Sequence, residues 1–266
     1  DGNNQFDTNL SGETDEQNLA GKVGVQWDFR DNAMVYATYS QGYKGPAFNV
    51  FYNMDDDDIN PIDAEESDSF ELGTKWTFDQ GYFALTYFNT EIENFQANDF
   101  DASDGTTITG FTNGGDVETQ GWELDFIYQP TDNLSFSGGV AVIDAESTTG
   151  AALPFSPDLR YSLVSRYDLP LESGAKVRFN GNYVYSDEKL SGNIGQIDEV
   201  PFLLPDYGLL NASVAYISKD EKLNVALIGK NLTDESFATT FAGDGFRYTV
   251  PRDADRYFGI NIRLSY

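Results

Sequence analysis

Stretches of this chain alternate apolar and polar side chains with a period of two, and the links between them alternate between short and long. A period of two puts successive side chains on opposite faces of an extended backbone, so each stretch predicts a strand with one apolar and one wet face. About eleven such strands are expected. They fall at 19–29, 33–44, 70–78, from Tyr82 to about Ala97, a strand ending in TQGWELDFIYQP at 119–130, then 134–143, 159–169, 176–185, 207–217, 222–232 and 258–266. The last reads FGINIRLSY, with Phe258, Ile260, Ile262, Leu264 and Tyr266 on one face and Gly259, Asn261, Arg263 and Ser265 on the other. Hardly any helix is expected.

The links decide between the ways such strands can assemble. RDN, DQG, TDN, PLESG and SKDE are short, whereas the others run from about ten to about twenty residues and exceed the usual connection length. In an antiparallel meander this puts every long loop at one end. A soluble sandwich has no reason to do that, but an outer-membrane barrel does, with short turns in the periplasm and long loops outside. The strands also have the length needed to cross a bilayer at a tilt. Lys22, Lys75 and Lys176 on the polar faces would be costly in a dry sandwich core and sit well in a wet lumen. The expected fold is therefore all-β, an antiparallel transmembrane β-barrel. Phe258, Ile260, Ile262, Leu264 and Tyr266 would form a lipid-facing assembly signal, with the terminal ring at the periplasmic interface.

An odd number of strands places residues 1–17 in an extracellular loop and 18–266 in the wall. Barrels of bacterial outer membranes have an even count, and an open sheet leaves bare backbone in hydrocarbon at several kcal/mol per group. These residues are therefore expected to be the carboxy-terminal part of a larger barrel, or to pair with a partner that supplies the missing strands.

Composition removes other functions. The chain has 44 Asp and Glu against 16 Lys and Arg, a net charge of −28 that repels nucleic acid phosphates. It has neither Cys nor His, which excludes thiol and Ser-His-Asp catalysis, thiolate zinc sites and His-ligated haem. No enzyme and no cofactor are expected. The acidic, polar amino terminus DGNNQFDTNLSGETDEQN is not a signal peptide.

Five segments, in order and spacing, resemble the carboxy-terminal barrel half of TonB-dependent outer-membrane receptors: VYATYSQGYKGPAFN at 35–49, ELGTKW at 71–76, TNGGDVETQGWELDF at 112–126, KNLTDESF at 230–237 and PRDADRYFGINIRLSY at 251–266. The resemblance covers nearly the whole chain from about Asn18. It implies a 22-stranded barrel whose lumen is filled by an amino-terminal plug absent from these residues. Eleven strands would be half of it. It further implies import of a scarce nutrient complex, foremost a ferric siderophore, with energy from TonB acting through the plug, and insertion into outer-membrane lipid by the barrel-assembly machinery. The family usually ends on Phe, where this chain has Tyr266. A passive porin or adhesin and a soluble carbohydrate-binding β-protein are the alternative readings.

Receptors of this family bind ligand with loops and the upper wall, so loop aromatics are the candidates: Phe48, Phe51 and Tyr52 above the second strand, and Phe241, Phe246 and Tyr248 in the last loop. Such rings could stack on a flat chelating group; the competing assignment is loop packing or an interfacial girdle. Asp55, Asp56, Asp57 and Asp58, with Asp99, Asp101 and Asp104, offer oxygens to a hard cation without the ligand and glycine spacing of an EF-hand. The bland assignment, ordinary solvated acidic loops, outweighs the metal site.

Overall fold

The computed structural model describes residues 11–48, 60–100, 108–148, 153–191, 203–242, 247–251 and 254–266. Its strands, in chain order, are β1 (Gly21–Arg30), β2 (Ala33–Lys44), β3 (Glu65–Phe78), β4 (Gly81–Glu93), β5 (Gln96–Phe100), β6 (Ile108–Asn113), β7 (Val117–Thr131), β8 (Leu134–Ser147) and β9 (Leu159–Pro170). They continue with β10 (Lys176–Ser186), β11 (Lys189–Leu190), β12 (Leu203–Leu204), β13 (Tyr207–Ile217), β14 (Leu223–Lys230), β15 (Thr240–Ala242), β16 (Arg247–Thr249) and β17 (Tyr257–Leu264). Eleven of them join into one antiparallel sheet in the order β1-β2-β3-β4-β7-β8-β9-β10-β13-β14-β17. These are the eleven strands expected from the alternation, and β2 and β13 have the expected bounds.

Three long links differ from expectation. The stretches after about Ala97, from Glu188 to Asp206 and up to Asp253 read as loops, yet each contains a two-stranded hairpin: β5-β6, β11-β12 and β15-β16. Their strands are too short, and too poor in apolar alternation, to stand out against the long wall strands. β3 likewise begins at Glu65, five residues before the expected Phe70, because polar residues extend it above the apolar region.

The pairing register shows where the apolar face goes. Starting from Val25, the cross-strand partners run through Ala37 and Leu72 to Tyr87 and Trp122, then to Val142 and Leu159. A second row runs from Tyr167 through Phe179, Val214 and Leu227 to Ile260. One face is thus apolar across all eleven strands, and it is uncovered: Trp27, Leu227 and Ile260 are 68%, 60% and 68% exposed. The opposite face carries Gln26, Lys75, Glu123, Arg166, Asn180 and Asn261. Among the described residues the fully buried side chains are small or lie in loops, Leu204 being the largest apolar one. Among the described residues there is no dry interior between two sheets. A face this apolar is stable in hydrocarbon, and the polar face then lines a lumen.

Two rows of rings bound the apolar band. Near the short turns lie Trp76, Phe83, Tyr128, Phe136, Tyr167 and Phe179, with Trp76 and Phe83 at 6.0 Å and Tyr167 stacked on Phe179 at 6.3 Å. Towards the long loops lie Tyr39, Phe70, Tyr87, Trp122, Tyr161 and Tyr185, with Tyr87 and Trp122 at 5.2 Å and Tyr161 stacked on Tyr185 at 5.0 Å. Amphipathic rings favour both membrane interfaces. Above the upper row the same face turns acidic: Asp68, Glu91, Glu118 and Glu146 are successive cross-strand partners on β3, β4, β7 and β8. Carboxylates do not belong in hydrocarbon, so the bilayer ends below them. From Phe78 to Asp68 is ten residues of β3, and at about 2.5 Å of height per tilted residue this gives a band of about 25 Å, the height of an outer-membrane apolar belt.

Every residue of β1 is exposed, and so is nearly all of β17, because each has a neighbour on one side only. The short turns are tightly built. In DQG, Gly81 has φ 152° and a side chain there would run into the Ile127 carbonyl, so only glycine fits.

Candidate functional site

The wall is organised by its polar face. In the lower and middle lumen, Tyr36 on β2 lies over Gly73 on β3, whose missing side chain leaves room for the ring. The Tyr36 hydroxyl donates to Glu71, lies 3.1 Å from Thr86 Oγ1, and the Lys75 ammonium sits 5.5 Å from the ring centre. On β9 and β10, Asp168 accepts both Arg178 Nε at 2.7 Å and Arg178 Nη2 at 2.8 Å, and it also accepts Arg166 Nη2 at 3.1 Å. Further along, Asn180 donates to Ser213 Oγ at 3.0 Å and Asn211 donates to Asn182 Oδ1 at 3.1 Å. Such cross-strand polar pairs hold the wall rigid, and a wet lumen solvates what they leave over.

Between β7 and β10 the polar face dips into a concavity of about 420 Å³. Its floor is made by small residues, Gly139, Ala141 and Ser162. Glu123 and Asp125 stand on one side, and Arg160 and Val184 on the other.

Arg160 begins the extracellular rim. It is directly opposite Ser186 on β10, which is opposite Tyr207 on β13, so the three form one row on the lumenal face. Tyr207 stacks on Phe237 with ring centres 4.8 Å apart, and the Lys189 ammonium of β11 lies 5.4 Å from the Tyr207 ring centre. Burial, and then the charge of Arg160, lower the Lys189 pKa from its ordinary value. The loop that carries Phe237 is fixed by Asn231, which is buried. Its amide donates to Glu235 O at 2.8 Å and Ala254 O at 2.6 Å, and its Oδ1 accepts the Glu235 N–H at 3.0 Å. Asn231 also has φ 46°, a conformation that asparagine tolerates better than most residues. This is what the Asn of KNLTDESF does. Across the rim, Leu204 of β12 is buried against Ala238, and Phe155 donates its N–H to Leu190 O at 2.8 Å.

A second rim cluster ties the loops between β2 and β3 and between β4 and β7. Gln96 donates to Gly45 O and Asp63 O, both at 3.0 Å, and Asn113 accepts the Asp63 N–H at 2.8 Å. Phe48 lies beside it, half-buried, next to the Ala47–Ile62 bridge. Of the other expected ligand contacts, Phe241 and Tyr248 are direct backbone partners in the β15-β16 hairpin. Their side chains, together with Phe51, Tyr52 and Phe246, lie outside the described residues. So do Asp55, Asp56, Asp57, Asp58, Asp101, Asp104 and the side chain of Asp99. Among the described residues no group of three or more acidic side chains is placed to hold a metal ion. The structure instead brings together Arg160, Lys189, Tyr207 and Phe237. Phe237 ends the KNLTDESF motif, and Arg160 is one of few cations in an acidic chain. What the sequence lacked was the register that sets Arg160 in line with Tyr207.

The wall and rim define a class, a membrane barrel with a polar lumen and an elaborated outer mouth, and comparison with known proteins gives the family. The TonB dependent receptor-like β-barrel family matches residues 1–232, and the chain belongs to it. It is an outer-membrane β-barrel protein. The siderophore receptor PiuA of Acinetobacter baumannii is 26% identical over 242 residues, covering 82% of this chain and 30% of its own. The pesticin receptor of Yersinia pestis is 24% identical over 270 residues, covering 96% and 37%. The crystal structure of the ferric yersiniabactin uptake receptor FyuA from Yersinia pestis superposes with a TM-score of 0.77 at 21% identity, covering 93% of this chain and 37% of that one. The chain therefore spans about a third of the length of the relatives it matches.

Proposed function

We propose that this protein forms the carboxy-terminal half, 18–266, of a 22-stranded receptor barrel that imports a ferric siderophore with energy from TonB, residues 1–17 belonging to an extracellular loop. The observation that carries this reading is the continuous apolar outer face over a polar lumenal wall, in a chain whose family includes proteins named as siderophore receptors. The free edges of β1 and β17 support a larger barrel, because an unpaired strand edge in hydrocarbon is unstable. A plug domain outside these residues would fill the lumen and contact TonB, and the barrel-assembly machinery would insert the β17 face into lipid. Phe48, Phe51, Tyr52, Phe241, Phe246 and Tyr248 are ligand contacts in this reading, since the loops that carry them rise from the same end of the wall.

Growth of a deletion strain under iron limitation, fed a panel of ferric chelates, tests it. At least one chelate should support growth only when the gene is present and TonB is intact. Growth that is independent of TonB on every chelate would replace active import by passive diffusion through a porin-like barrel.

A further inference from the structure

The two faces of the wall differ in charge as well as in polarity. Within the eleven wall strands every lysine and arginine except Arg30 shares a row with lumenal side chains, Lys22 beside Ser40, Lys75 beside Ala84 and Arg263 beside Asn224 among them. Arg30 lies over the outward Trp76 ring at the periplasmic end, 5.6 Å from its centre. At the extracellular end these strands therefore put no cation on the outward face, yet they put carboxylates there. Asp68, Glu91, Glu118 and Glu146 form one row across β3, β4, β7 and β8, and Glu66 opposite Glu93 begins the next row up. None of these six is in an ion pair among the described residues.

Hydrogen bonds tie the carboxylates to the ring row below. The Tyr39 hydroxyl donates to Asp68, Asn89 donates to Glu118 at 2.8 Å, and the Tyr87 hydroxyl donates to Gln120 at 3.3 Å. The pattern recurs on the other half of the wall, where the Tyr185 hydroxyl donates to Asp187 and Asp206, at 3.4 and 3.3 Å. Successive rows are two residues apart, about 5 Å of height at about 2.5 Å per tilted residue. The carboxylates thus stand within the polar layer, about 5–7 Å thick, that covers each side of the hydrocarbon.

This edge of the sheet is uncovered, with Asp68, Glu91 and Glu146 exposed, and it continues the lipid-facing surface without a break. Headgroups of the outer leaflet are its neighbours, and the side chains restrict their chemistry. Carboxylates directly opposite one another repel across the strands. Phosphate headgroups packed against them would add to that repulsion at a range too short for salt to screen. Basic residues at a membrane surface attract anionic lipid, and this edge has the reverse sign. Nor is the row a cation cage, since among the described residues no group of three or more acidic side chains is placed to hold a metal ion. Carboxylates together with Asn89 and Gln120 suit hydroxyl groups, which both donate and accept.

We propose that the outward edge of β3, β4, β7 and β8 above the upper ring row is a headgroup-binding surface for an uncharged, hydroxyl-rich glycolipid of the outer leaflet, and that it excludes anionic phosphate headgroups. Sugar hydroxyls donate to Asp68, Glu91, Glu118 and Glu146, and the ring row fixes the depth at which the sugars sit. This goes beyond the import reading and does not depend on what the barrel carries.

The test uses the complete receptor in phosphatidylcholine vesicles that contain either a monoglucosyl diacylglycerol or phosphatidylglycerol, each brominated near the top of its acyl chains and each measured with and without magnesium. Bromine quenches a neighbouring indole. Trp122 is in the upper ring row and 51% exposed, and its signal is isolated by subtracting that of Trp122→Phe. The wild type should gather the glucosyl lipid around Trp122 about fivefold over phosphatidylglycerol, the factor for one charge at a membrane surface. Asp68→Asn, Glu91→Gln and Glu118→Gln together should bring the two lipids level, because amides keep the hydrogen bonds and lose the charge. Glu91→Lys with Glu118→Lys should reverse the preference, and Glu91→Lys alone should shift it in the same direction, so the reading survives a combined variant that fails to give heat-resistant gel migration. Equal gathering of both lipids by the wild type, or a preference that the folded variants leave unchanged, overturns the proposal. Phosphatidylglycerol preferred by the wild type only with magnesium, and no longer in the amide variant, also overturns it and makes the row a cation bridge to phosphate.

Discussion

Replacing Ile260 by arginine should damage the barrel, while the same replacement one residue on, at Asn261, should not. Ile260 is on the apolar face opposite Leu227 and is 68% exposed, so nothing in the protein covers it. It lies four residues from the periplasmic end of β17, about 10 Å up at about 2.5 Å per residue, close to the middle of the apolar band. Arginine at that depth costs about 2–4 kcal/mol, which is about 30- to 700-fold in the folding equilibrium. Asn261 is opposite Ala226 on the lumenal face, between Arg263 and Gly259 along the strand. An arginine there stays in water and should change stability by no more than about 0.5 kcal/mol. Both variants of the complete receptor would be folded into lipid vesicles and titrated with urea, with heat-resistant gel migration as the readout of the folded barrel. A loss of similar size in both variants, or no loss in Ile260→Arg, would show that the facing assigned to β17 is wrong.

Other perturbations probe the lumenal wall. Gly73→Leu forces a side chain into the Tyr36 ring and should lower stability by about 1–3 kcal/mol; Tyr36→Ala in the same chain should relieve part of that loss, and simple additivity in the urea midpoints would argue against the contact. Arg178→Met leaves Asp168 with only Arg166, and because all three are partly solvated the expected loss is about 1–2 kcal/mol, below that of a dry pair. In the periplasmic turn, the hydrogen bond and charge of Lys176 hold the Glu221 carboxyl below its ordinary pKa. A lowered folded value means that the contribution is present above the ordinary glutamate range and fades as pH falls through the lowered one. Lys176→Met should return Glu221 to the ordinary range in an NMR titration, and an unchanged titration would contradict the pairing.

Much of the fold was legible because the bilayer imposes one rule on every strand. Each must show a continuous apolar face, so period two persists from Val23 to Leu264, and the long-short order of links fixes which end is outside. The register followed from turn length: a two-residue turn such as Asp31–Asn32 leaves little freedom. The hairpins β5-β6, β11-β12 and β15-β16 were not legible, since they stand above the bilayer and owe their form to local hydrogen bonds and not to a hydrophobic pattern. The rim was half legible. Loop aromatics such as Phe48 and Phe241 stand out only by residue type, whereas Arg160 and Tyr207 are distant in sequence and share a row only through the β9-β10-β13 register, with Lys189 reaching Tyr207 from β11. The unusual backbone of Phe155, with φ 60°, leaves no trace in composition.

The orientation of the sheet can be measured residue by residue, because the chain has no cysteine of its own and single cysteines can carry a spin label at 162–167 in β9 and 225–228 in β14. Collisions with oxygen, which dissolves in lipid, should peak at Leu163, Ser165, Tyr167, Val225 and Leu227 and drop at Ser162, Val164, Arg166, Ala226 and Ile228. Ser165 and Val164 are the sharpest pair, because their register, not their polarity, sets the prediction. An opposite phase, or exposure to oxygen with no alternation, would contradict a wall with lipid outside and water within.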